Sequence, residues 1–475
     1  MLWSERRPVD PGNHRFVGFT EEDHLAGLLG HNVQVGVASP EIALHRDVLY
    51  SPPDLFAPDI WATGGLMTAS GDLIPLVRTW RTDYEDLLGL TAPAAREPLR
   101  VIEGDVVYLG WLFDAFGHLV LESLARVWAL DLLPPTIPVL FHYWPNQQPP
   151  ERVLEWLAIF GIGRERILIP EGPVLFRDLL IPDPMHLITS LVHEHAGLPF
   201  RAAARRITGD ALPCDQPVYF SRTNLPATQR AIAGEAALEA VLRDNGFLIV
   251  HPETLSAAEQ IRIAASHRTL VACKGGAAEL FAFASPGSTA HLLCARPALE
   301  VNLVVSGIAG IRAVYHNVLR WRGSPLAAAR LALDEAIAGL AADGLLPDLS
   351  RAPYLPGDAD LDADFDELWL YGILTRHMPL DAEVLALAEP LVPSLRPTAW
   401  PVFAALAAHM PDARLSPAQA DALMTFFTDA LIEEPDANRR WRYAAQVRDL
   451  AGAALARCTP PVQTRARDAI AAQLP

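Results

Sequence analysis

The sequence predicts an α/β chain with two sheet-containing lobes followed by a helical domain. Short apolar runs alternate with helical segments from about residue 100 to 205, and more regularly from about 215 to 316. After about residue 350 the chain consists mainly of Ala- and Leu-rich helical segments. We therefore predict domains at residues 1–205, 206–345 and 346–475.

The first lobe is expected to begin with turn-rich β structure and to continue with βα units. Turn residues separate short apolar runs up to about residue 100, as in GGLMTASGDLIP. Further along, AFGHLVLESLARVWAL and PERVLEWLAIFGI have helical periodicity, whereas PVLFHYW and RILIP have the composition of buried strands. This alternation predicts strands that run parallel.

The second lobe is the most regular part of the sequence. Five short apolar runs, PVYFSR, FLIV, TLVAC, TAHLLC and IRAVYH, are separated by four helical segments. One of these helices begins with a capping box, in which Ser256 is followed three residues later by Glu259. The pattern predicts a Rossmann-like sheet, in which ligands bind beyond the carboxyl ends of the strands.

The last third of the chain is predicted to be a separate α-helical domain. An acidic run, GDADLDADFDE, precedes DAEVLALAEPLV, AWPVFAALAAHM and SPAQADALMTFFTDALIEE. The run lacks the glycine of a calcium loop, so we expect a linker or a helix start. The helical segments show no strict sequence repeat. Binding of a protein partner is one role that they could have.

Composition excludes several classes of protein. The chain has 475 residues and a formal net charge of −18, so it lacks the basic surface that nucleic-acid binding needs. Its four cysteines include no CxxC pair, which argues against a disulfide framework and for reducing conditions. With no apolar run of about 18 residues, we expect a cytoplasmic protein without a transmembrane segment, compatible with peripheral contact at the inner face of the membrane.

Candidate catalytic residues lie in the first lobe. His118, Glu122 and Arg126 are spaced four residues apart in an apolar segment, so on a helix they would form one polar stripe. One interpretation is a general base, Glu122 or His118, beside a wet cleft. The other is an internal ladder of paired side chains with a structural role. Asp114 is a third candidate base.

Candidate phosphate-binding residues follow two strands of the second lobe. Ser221 and Arg222 end one strand, Arg230 precedes the next helix and Glu235 begins it. An arginine there is placed to bind a diphosphate through two hydrogen bonds, although surface loops and helix starts carry the same residues.

A second loop has the sequence Lys274, Gly275 and Gly276. Its glycines would allow close approach of a ligand to the backbone and to a helix N-terminus, and the lysine adds positive charge. The alternative is a tight strand-to-helix turn. His193 and His195 lack the spacing of a helical zinc-binding pair, and we expect no metal site.

In their order and spacing these segments resemble glycosyltransferase family 61. GHLVLESLARVWAL is similar to the GHF…E segment of that family. From VYFSR to HLL the chain follows the family order of Ser-Arg, a second Arg, a Glu helix start, a Gly-Phe strand, a Leu-Ser…Glu-Gln helix, a small-residue loop and Pro-Gly. The resemblance covers about residues 100 to 320. Gly234 stands where the family has Asn, and Lys274 where it has His.

This resemblance implies a GT-B fold, with the acceptor on the first lobe and a nucleotide-sugar donor on the second. It implies inverting transfer, often from a UDP-sugar such as UDP-xylose or UDP-N-acetylglucosamine, to a glycan or other hydroxyl acceptor in surface polysaccharide synthesis, as of a capsule. Ser221, Arg222, Arg230, Glu235 and residues 274–276 would bind the donor, and His118 and Glu122 would face the cleft. We expect no cofactor and metal-independent transfer. One alternative is a catalytically silent scaffold of the same fold whose C-terminal helices bind a partner. Another is a different nucleotide-sugar enzyme on the same fold, such as an epimerase.

Overall fold

The computed structural model describes residues 5–23, 25–54, 62–74, 90–91, 100–144, 147–225, 231–296, 299–322, 328–350, 355–375, 421, 425, 428, 432 and 458–472. Contacts divide the chain into two compact units. The first unit comprises Met1–Ser221, Leu242–Val318 and Gly339–Leu346. The second comprises Arg222–Val241, Leu319–Ala338 and Pro347–Pro475.

Strands outnumber α-helices among the described residues. The strands are β1 (Arg6–Pro8), β2 (His14–Val17), β3 (Gln34–Gly36), β4 (Ile42–Asp54), β5 (Ala62–Met67), β6 (Leu90–Thr91), β7 (Arg100–Trp111), β8 (Val139–His142), β9 (Ile167–Leu168), β10 (Val174–Pro182), β11 (His186–Leu187), β12 (Leu191–His193), β13 (Val218–Phe220), β14 (Ile232–Ala233), β15 (Leu248–Val250), β16 (Thr269–Cys273), β17 (Thr289–Cys294), β18 (Arg312–Asn317), β19 (Leu319–Arg320) and β20 (Ala329–Leu331). The α-helices are α1 (Leu25–Gly27), α2 (Phe116–His118), α3 (Glu151–Ile159), α4 (Leu198–Thr208), α5 (Glu235–Asp244), α6 (Ala257–Ser266), α7 (Leu299–Ala309), α8 (Leu333–Ala342), α9 (Asp358–Thr375) and α10 (Pro460–Ala471). Short 3₁₀ or π turns are Pro11–Asn13, Glu21–Asp23, Leu28–Asn32, Leu119–Ser123, Val127–Leu132, Arg164–Arg166, Pro252–Thr254 and Gly276–Phe283.

A seven-stranded sheet in the first unit has the order β6-β5-β4-β10-β7-β8-β9. β7, β8 and β9 run parallel, as the alternation of strand and helix predicts. β10 pairs parallel with β7 on one side and antiparallel with β4 on the other, so the sheet is mixed. A smaller sheet of four short strands has the order β1-β3-β12-β11.

The second large sheet of this unit has the order β15-β13-β16-β17-β18-β2, and every neighbouring pair is parallel. The five strands predicted from the sequence all form. The sixth strand, β2, comes from the N-terminal region and pairs with β18, with Phe16 opposite Tyr315. From β13 the chain goes first to β15 on one side and then to β16 on the other. The order therefore reverses between β13 and β16, the position where sheets of this class bind ligands.

One apolar core holds both large sheets of the first unit. Val107 and Phe141 of the mixed sheet and Phe220, Leu270 and Leu292 of the parallel sheet belong to the same buried cluster. Complete burial of such a side chain contributes about 1.5–3 kcal/mol, so many of them make a rigid support for the loops at the strand ends.

The second unit contains the sheet β14-β20-β19 and the helix α9. α9 begins at Asp358, so the acidic run is a helix start, one of the two alternatives expected. Its aspartates pair with arginines: Asp362 lies 2.6 Å from Arg330 Nε, and Asp366 lies 2.7 Å from Arg322 Nη1. These ion pairs give Asp362 and Asp366 a structural role.

The predicted helices at 381–392, 399–410 and 416–434 lie outside the described residues, apart from the helical positions 421, 425, 428 and 432. Within the part of the chain that the structure describes, no helix has the length and apolar character needed to cross a membrane. The domain boundaries at 205 and 345 stay predictions.

Candidate active site

The segment around His118 is helical but not a regular α-helix. One α-helical turn, α2, is followed by a π-helical turn over Leu119–Ser123 and then by a 3₁₀ turn over Val127–Leu132. The amide of Leu124 donates to the carbonyl of Leu119, 3.0 Å away, which closes the wider turn. Wide turns of this kind are rare and occur often at functional sites.

The predicted stripe of three polar residues does not form, because the wide turn changes the direction of the residues that follow it. Arg126 is buried, and its Nε donates to the carbonyl of Pro182 at 3.0 Å. Its guanidinium lies 6.0 Å from the ring centre of Tyr108. A Cβ on Gly110 would lie 2.9 Å from Arg126 Nη1, so a glycine leaves room for the guanidinium. Arg126 is therefore a structural residue.

His118 and Glu122 do form a pair. Nδ1 of His118 is hydrogen-bonded to Oε2 of Glu122, whose side chain is only 7% exposed, whereas His118 is 37% exposed. Oε1 of Glu122 makes no hydrogen bond with any group that the structure describes. A carboxylate that accepts the Nδ1 proton leaves Nε2 of the imidazole as the basic nitrogen. The pair therefore has the chemistry of a general base held by a buried acid.

Asp114, the third candidate base, is held by a neighbouring tyrosine. The hydroxyl of Tyr143 donates to Asp114 Oδ1 at 2.8 Å. Tyr143 is almost fully buried, so this hydrogen bond fixes the loop that leads into α2. The observed contact favours Asp114 as an anchor of that loop.

Two of the predicted phosphate-binding residues, Ser221 and Lys274, lie at the carboxyl edge of the parallel sheet. β13 and β16 are neighbours with Phe220 opposite Ala272, so Ser221 and Lys274 leave the sheet at the same edge. The amide of Ser221 donates to Val250 at 2.7 Å, and that of Lys274 donates to Leu293 at 2.8 Å. These backbone bonds extend the sheet by one residue beyond the strands.

Gly275 makes the turn that follows. Its φ of 143° favours glycine, and the 3₁₀ turn Gly276–Phe283 starts immediately after it. Lys274 is half-buried, and its charge acts on Cys294 at the end of β17. Burial raises the pKa of the Cys294 thiol to about 12, and the lysine ammonium opposes that rise. Lys274 therefore places one positive charge beside the end of β17.

Sequence reasoning missed Glu279, which lies between the two predicted sites. This carboxylate is 6% exposed. A Cβ on Gly117 would lie 3.5 Å from Glu279 Oε1, and one on Gly276 would lie 4.0 Å from Oε2. Glu279 thus lies beside the turn that carries His118 and beside the glycine loop after β16. Its one sequence signal is that it is the only charged residue in GGAAELFAF.

Glu235 and Arg222 meet within the second unit. The backbone amide of Arg222 donates to Glu235 Oε1 at 2.9 Å, and the hydroxyl of Thr223 donates to Glu239 Oε2 at 2.6 Å. Both glutamates are buried at the start of α5. They hold the loop that carries Arg222. Arg230 lies outside the described residues.

Gly234, one of the two departures from the family pattern, precedes this helix with a φ of 89°. Asparagine is the side chain best tolerated at such a φ, and glycine adopts it freely. A Cβ there would lie 3.2 Å from Leu361 Cδ2, a tight contact. The departure fits the local backbone.

The His193–His195 segment carries no metal-like cluster. His193 is buried, and its Nε2 is 2.8 Å from the carbonyl of Ala38, while its Nδ1 accepts from the amide of His195 at 3.1 Å. These bonds hold the segment in place and use both ring nitrogens. The structural interpretation therefore accounts for this motif.

A comparison with protein families finds a match in the central part of the chain. Residues 116–291 match the family Glycosyltransferase 61. The match includes His118, Glu122, Ser221, Lys274 and Glu279 and supports a glycosyltransferase, whose substrates are a sugar donor and an acceptor. It covers less than half of the 475 residues. No curated protein matches the chain.

Proposed function

We propose that this chain is an inverting glycosyltransferase that moves a sugar from a nucleotide-sugar, most simply a UDP-sugar, to a hydroxyl of a glycan or similar acceptor. The observation that carries the proposal is the His118–Glu122 pair inside the segment that matches Glycosyltransferase 61. A GT-B-like fold and a role in surface polysaccharide synthesis in the cytoplasm are what the resemblance implies, and both belong to this proposal.

The pair supplies the base for the reaction. Nε2 of His118 takes the proton of the acceptor hydroxyl as its oxygen attacks the anomeric carbon. The bond from that carbon to the diphosphate oxygen breaks on the opposite face, so the anomeric configuration inverts. Glu122 keeps the Nδ1 proton in place and stabilises the imidazolium that forms. We therefore assign the base to His118 and the positioning of that base to Glu122.

The donor diphosphate is proposed to bind at the switch point of the parallel sheet. Ser221 and Lys274 lie at that edge, and Gly275 allows the backbone to come close to a phosphate. Lys274 would stabilise the negative charge that develops on the departing diphosphate. The resemblance adds Arg222 and Arg230 to these contacts, and both assignments stay predictions.

Glu279 is proposed as a positioning residue. Its carboxylate occupies the space beside Gly117 and beside Gly276, so it lies between the turn of the base and the loop that would hold the diphosphate. A fixed spacing between these two turns matters because in-line transfer needs the acceptor oxygen and the leaving group on opposite faces of one carbon.

Calorimetry of UDP, GDP, CMP and UDP-sugars with the purified full chain, with and without EDTA, tests the proposal. We expect saturable binding of UDP that survives EDTA. His118→Gln should bind UDP as well as the wild type and lose transfer or donor hydrolysis. His195→Gln is the matched control, because His195 is 60% exposed and lies far along the chain from both loops. A folded protein that binds none of these nucleotides would favour the catalytically silent scaffold.

A further inference from the structure

A second polar cluster in the first unit takes no part in the proposed reaction. It consists of His291 in β17, His316 in β18 and Asp343, which directly follows α8. β17 and β18 are parallel neighbours in which His291 lies opposite Val314 and Leu293 opposite His316. Side chains two residues apart on a strand share a face, so both imidazoles project from the same side of the sheet.

Three ligand-type atoms converge in this cluster. His291 Nδ1 lies 3.3 Å from His316 Nε2 and 3.4 Å from Asp343 Oδ2, and the last two atoms are 3.8 Å apart. In a tetrahedral zinc site with bonds of about 2.0–2.1 Å, neighbouring ligand atoms are about 3.3 Å apart. The three atoms therefore stand close to three corners of such a site.

The cluster is largely buried from bulk solvent, and one of its carboxylate oxygens lacks a hydrogen bond. The side chains of His291, His316 and Asp343 are 6%, 0% and 10% exposed. Asp343 Oδ2 makes no hydrogen bond with any group that the structure describes. A carboxylate oxygen buried without a donor is costly, and a cation shared with the two imidazole nitrogens would remove that cost.

The surroundings orient the three groups. Arg15 in β2 pairs with Asp343 Oδ1, which leaves Oδ2 directed at the histidines. The absence of a side chain at Gly339 leaves room for the His316 ring, since a Cβ there would lie 2.7 Å from His316 Nδ1.

We propose that His291, His316 and Asp343 bind one zinc ion, with water as the fourth ligand. The ion would tie β17 and β18 to the end of α8. Its role is structural, because the candidate base and the switch-point loops contribute none of its ligands. Metal-independent sugar transfer and a bound zinc ion are therefore compatible in one chain.

Metal analysis of the full chain, purified without a histidine tag or chelator, tests the site. We expect about one zinc per chain by mass spectrometry of the metal. After removal of the metal, addition of Zn²⁺ alone should raise the thermal midpoint by several degrees. A metal-free protein that neither takes up Zn²⁺ at micromolar concentration nor changes its midpoint would overturn the proposal.

Asp343→Asn is the most informative variant, because it keeps the shape of the side chain and removes the ligand charge. We expect its zinc content to fall at least tenfold and its midpoint to stop responding to Zn²⁺. His267→Asn is the control: His267 is 8% exposed and bonds to the carbonyl of Ile263, outside the cluster. That variant should keep one zinc per chain. UDP affinity is measured with and without zinc. If zinc removal leaves it unchanged, the zinc site and the donor site are independent, and each proposal can be rejected without the other.

Discussion

Glu122 holds Nδ1 of His118 with a carboxylate that is 7% exposed, while the imidazole that it holds is 37% exposed. The acid is inside the protein and the base is at its surface. A carboxylate in that position is poorly placed to meet an acceptor hydroxyl itself, but it is well placed to set the tautomer and direction of the imidazole.

His118→Gln is expected to reduce the turnover number by about 10²–10⁴-fold, the usual contribution of a general base. Glu122→Gln should reduce it less, because the histidine remains. Steady-state kinetics at saturating donor measure both effects. The double variant should be no slower than His118→Gln, since residues that act as a unit are not additive. Two fully multiplicative losses would contradict the pairing.

Gly275→Ala is expected to weaken UDP binding at least tenfold. Alanine at a φ of 143° costs on the order of 1–3 kcal/mol, so the turn must change its shape to accept the side chain. Isothermal calorimetry gives the affinity, and circular dichroism checks the fold. The matched change is Gly27→Ala, at a φ of −65°, which should leave the affinity unchanged. Wild-type affinity for UDP in Gly275→Ala would contradict a role for this loop in donor binding.

Glu235→Gln and Glu235→Ala should differ in UDP affinity. The amide of Arg222 donates to Glu235 Oε1, and glutamine keeps an oxygen that can accept this hydrogen bond. Alanine removes it, at a cost of about 1.5–3 kcal/mol for a bond to a charged group. We expect Glu235→Ala to bind UDP as weakly as Arg222→Ala, and Glu235→Gln to stay within a few-fold of the wild type. Wild-type affinity for UDP in Arg222→Ala would contradict the assignment of Arg222 to the donor site.

Stability is expected to fall as the pH drops below about 6.5, the ordinary pKa of histidine. Burial lowers the pKa of His142 to about 3 and that of His186 to about 4. Between those values and about 6.5 the unfolded chain binds protons that the folded chain does not, so the free energy of unfolding decreases with falling pH. Each group contributes up to about 1.4 kcal/mol per pH unit.

Thermal midpoints measured from pH 7.5 to 4.5 check this expectation. His142→Asn should make the dependence shallower, because asparagine binds no proton in either state. The same change at the exposed His195 should leave the slope unchanged. A midpoint that stays constant over the whole range would contradict the buried, neutral state of His142.

Local pattern was enough to predict the strands of the parallel sheet. TLVAC and TAHLLC became β16 and β17 because each is a short apolar run between turn residues. β2 and β10 were not predicted, since their place depends on partners far away in the chain. Strand pairing between such distant segments cannot be predicted from the local sequence.

In the candidate site, too, local sequence predicted some features, while others depend on residues distant in the chain. The spacing of His118 and Glu122 predicted their contact, but not the π-helical turn over Leu119–Ser123. Beyond that turn the buried arginine contacts Pro182 and Tyr108, which are distant in the sequence. Glu279 was not predicted because its position beside Gly117 depends on an element far away in the chain.

The edge position of β2 has a consequence for biosynthesis. His14 in β2 lies 3.2 Å from the hydroxyl of Tyr315 in β18, although 301 residues separate them in the chain. At a ribosomal rate of about 5–20 residues per second, β2 waits roughly 15–60 s for its partner. Until it docks, β18 presents open backbone groups, which are a template for pairing with another chain. Substitutions in β2 should therefore lower the yield of native protein through aggregation, while the molecules that do fold keep their full catalytic rate.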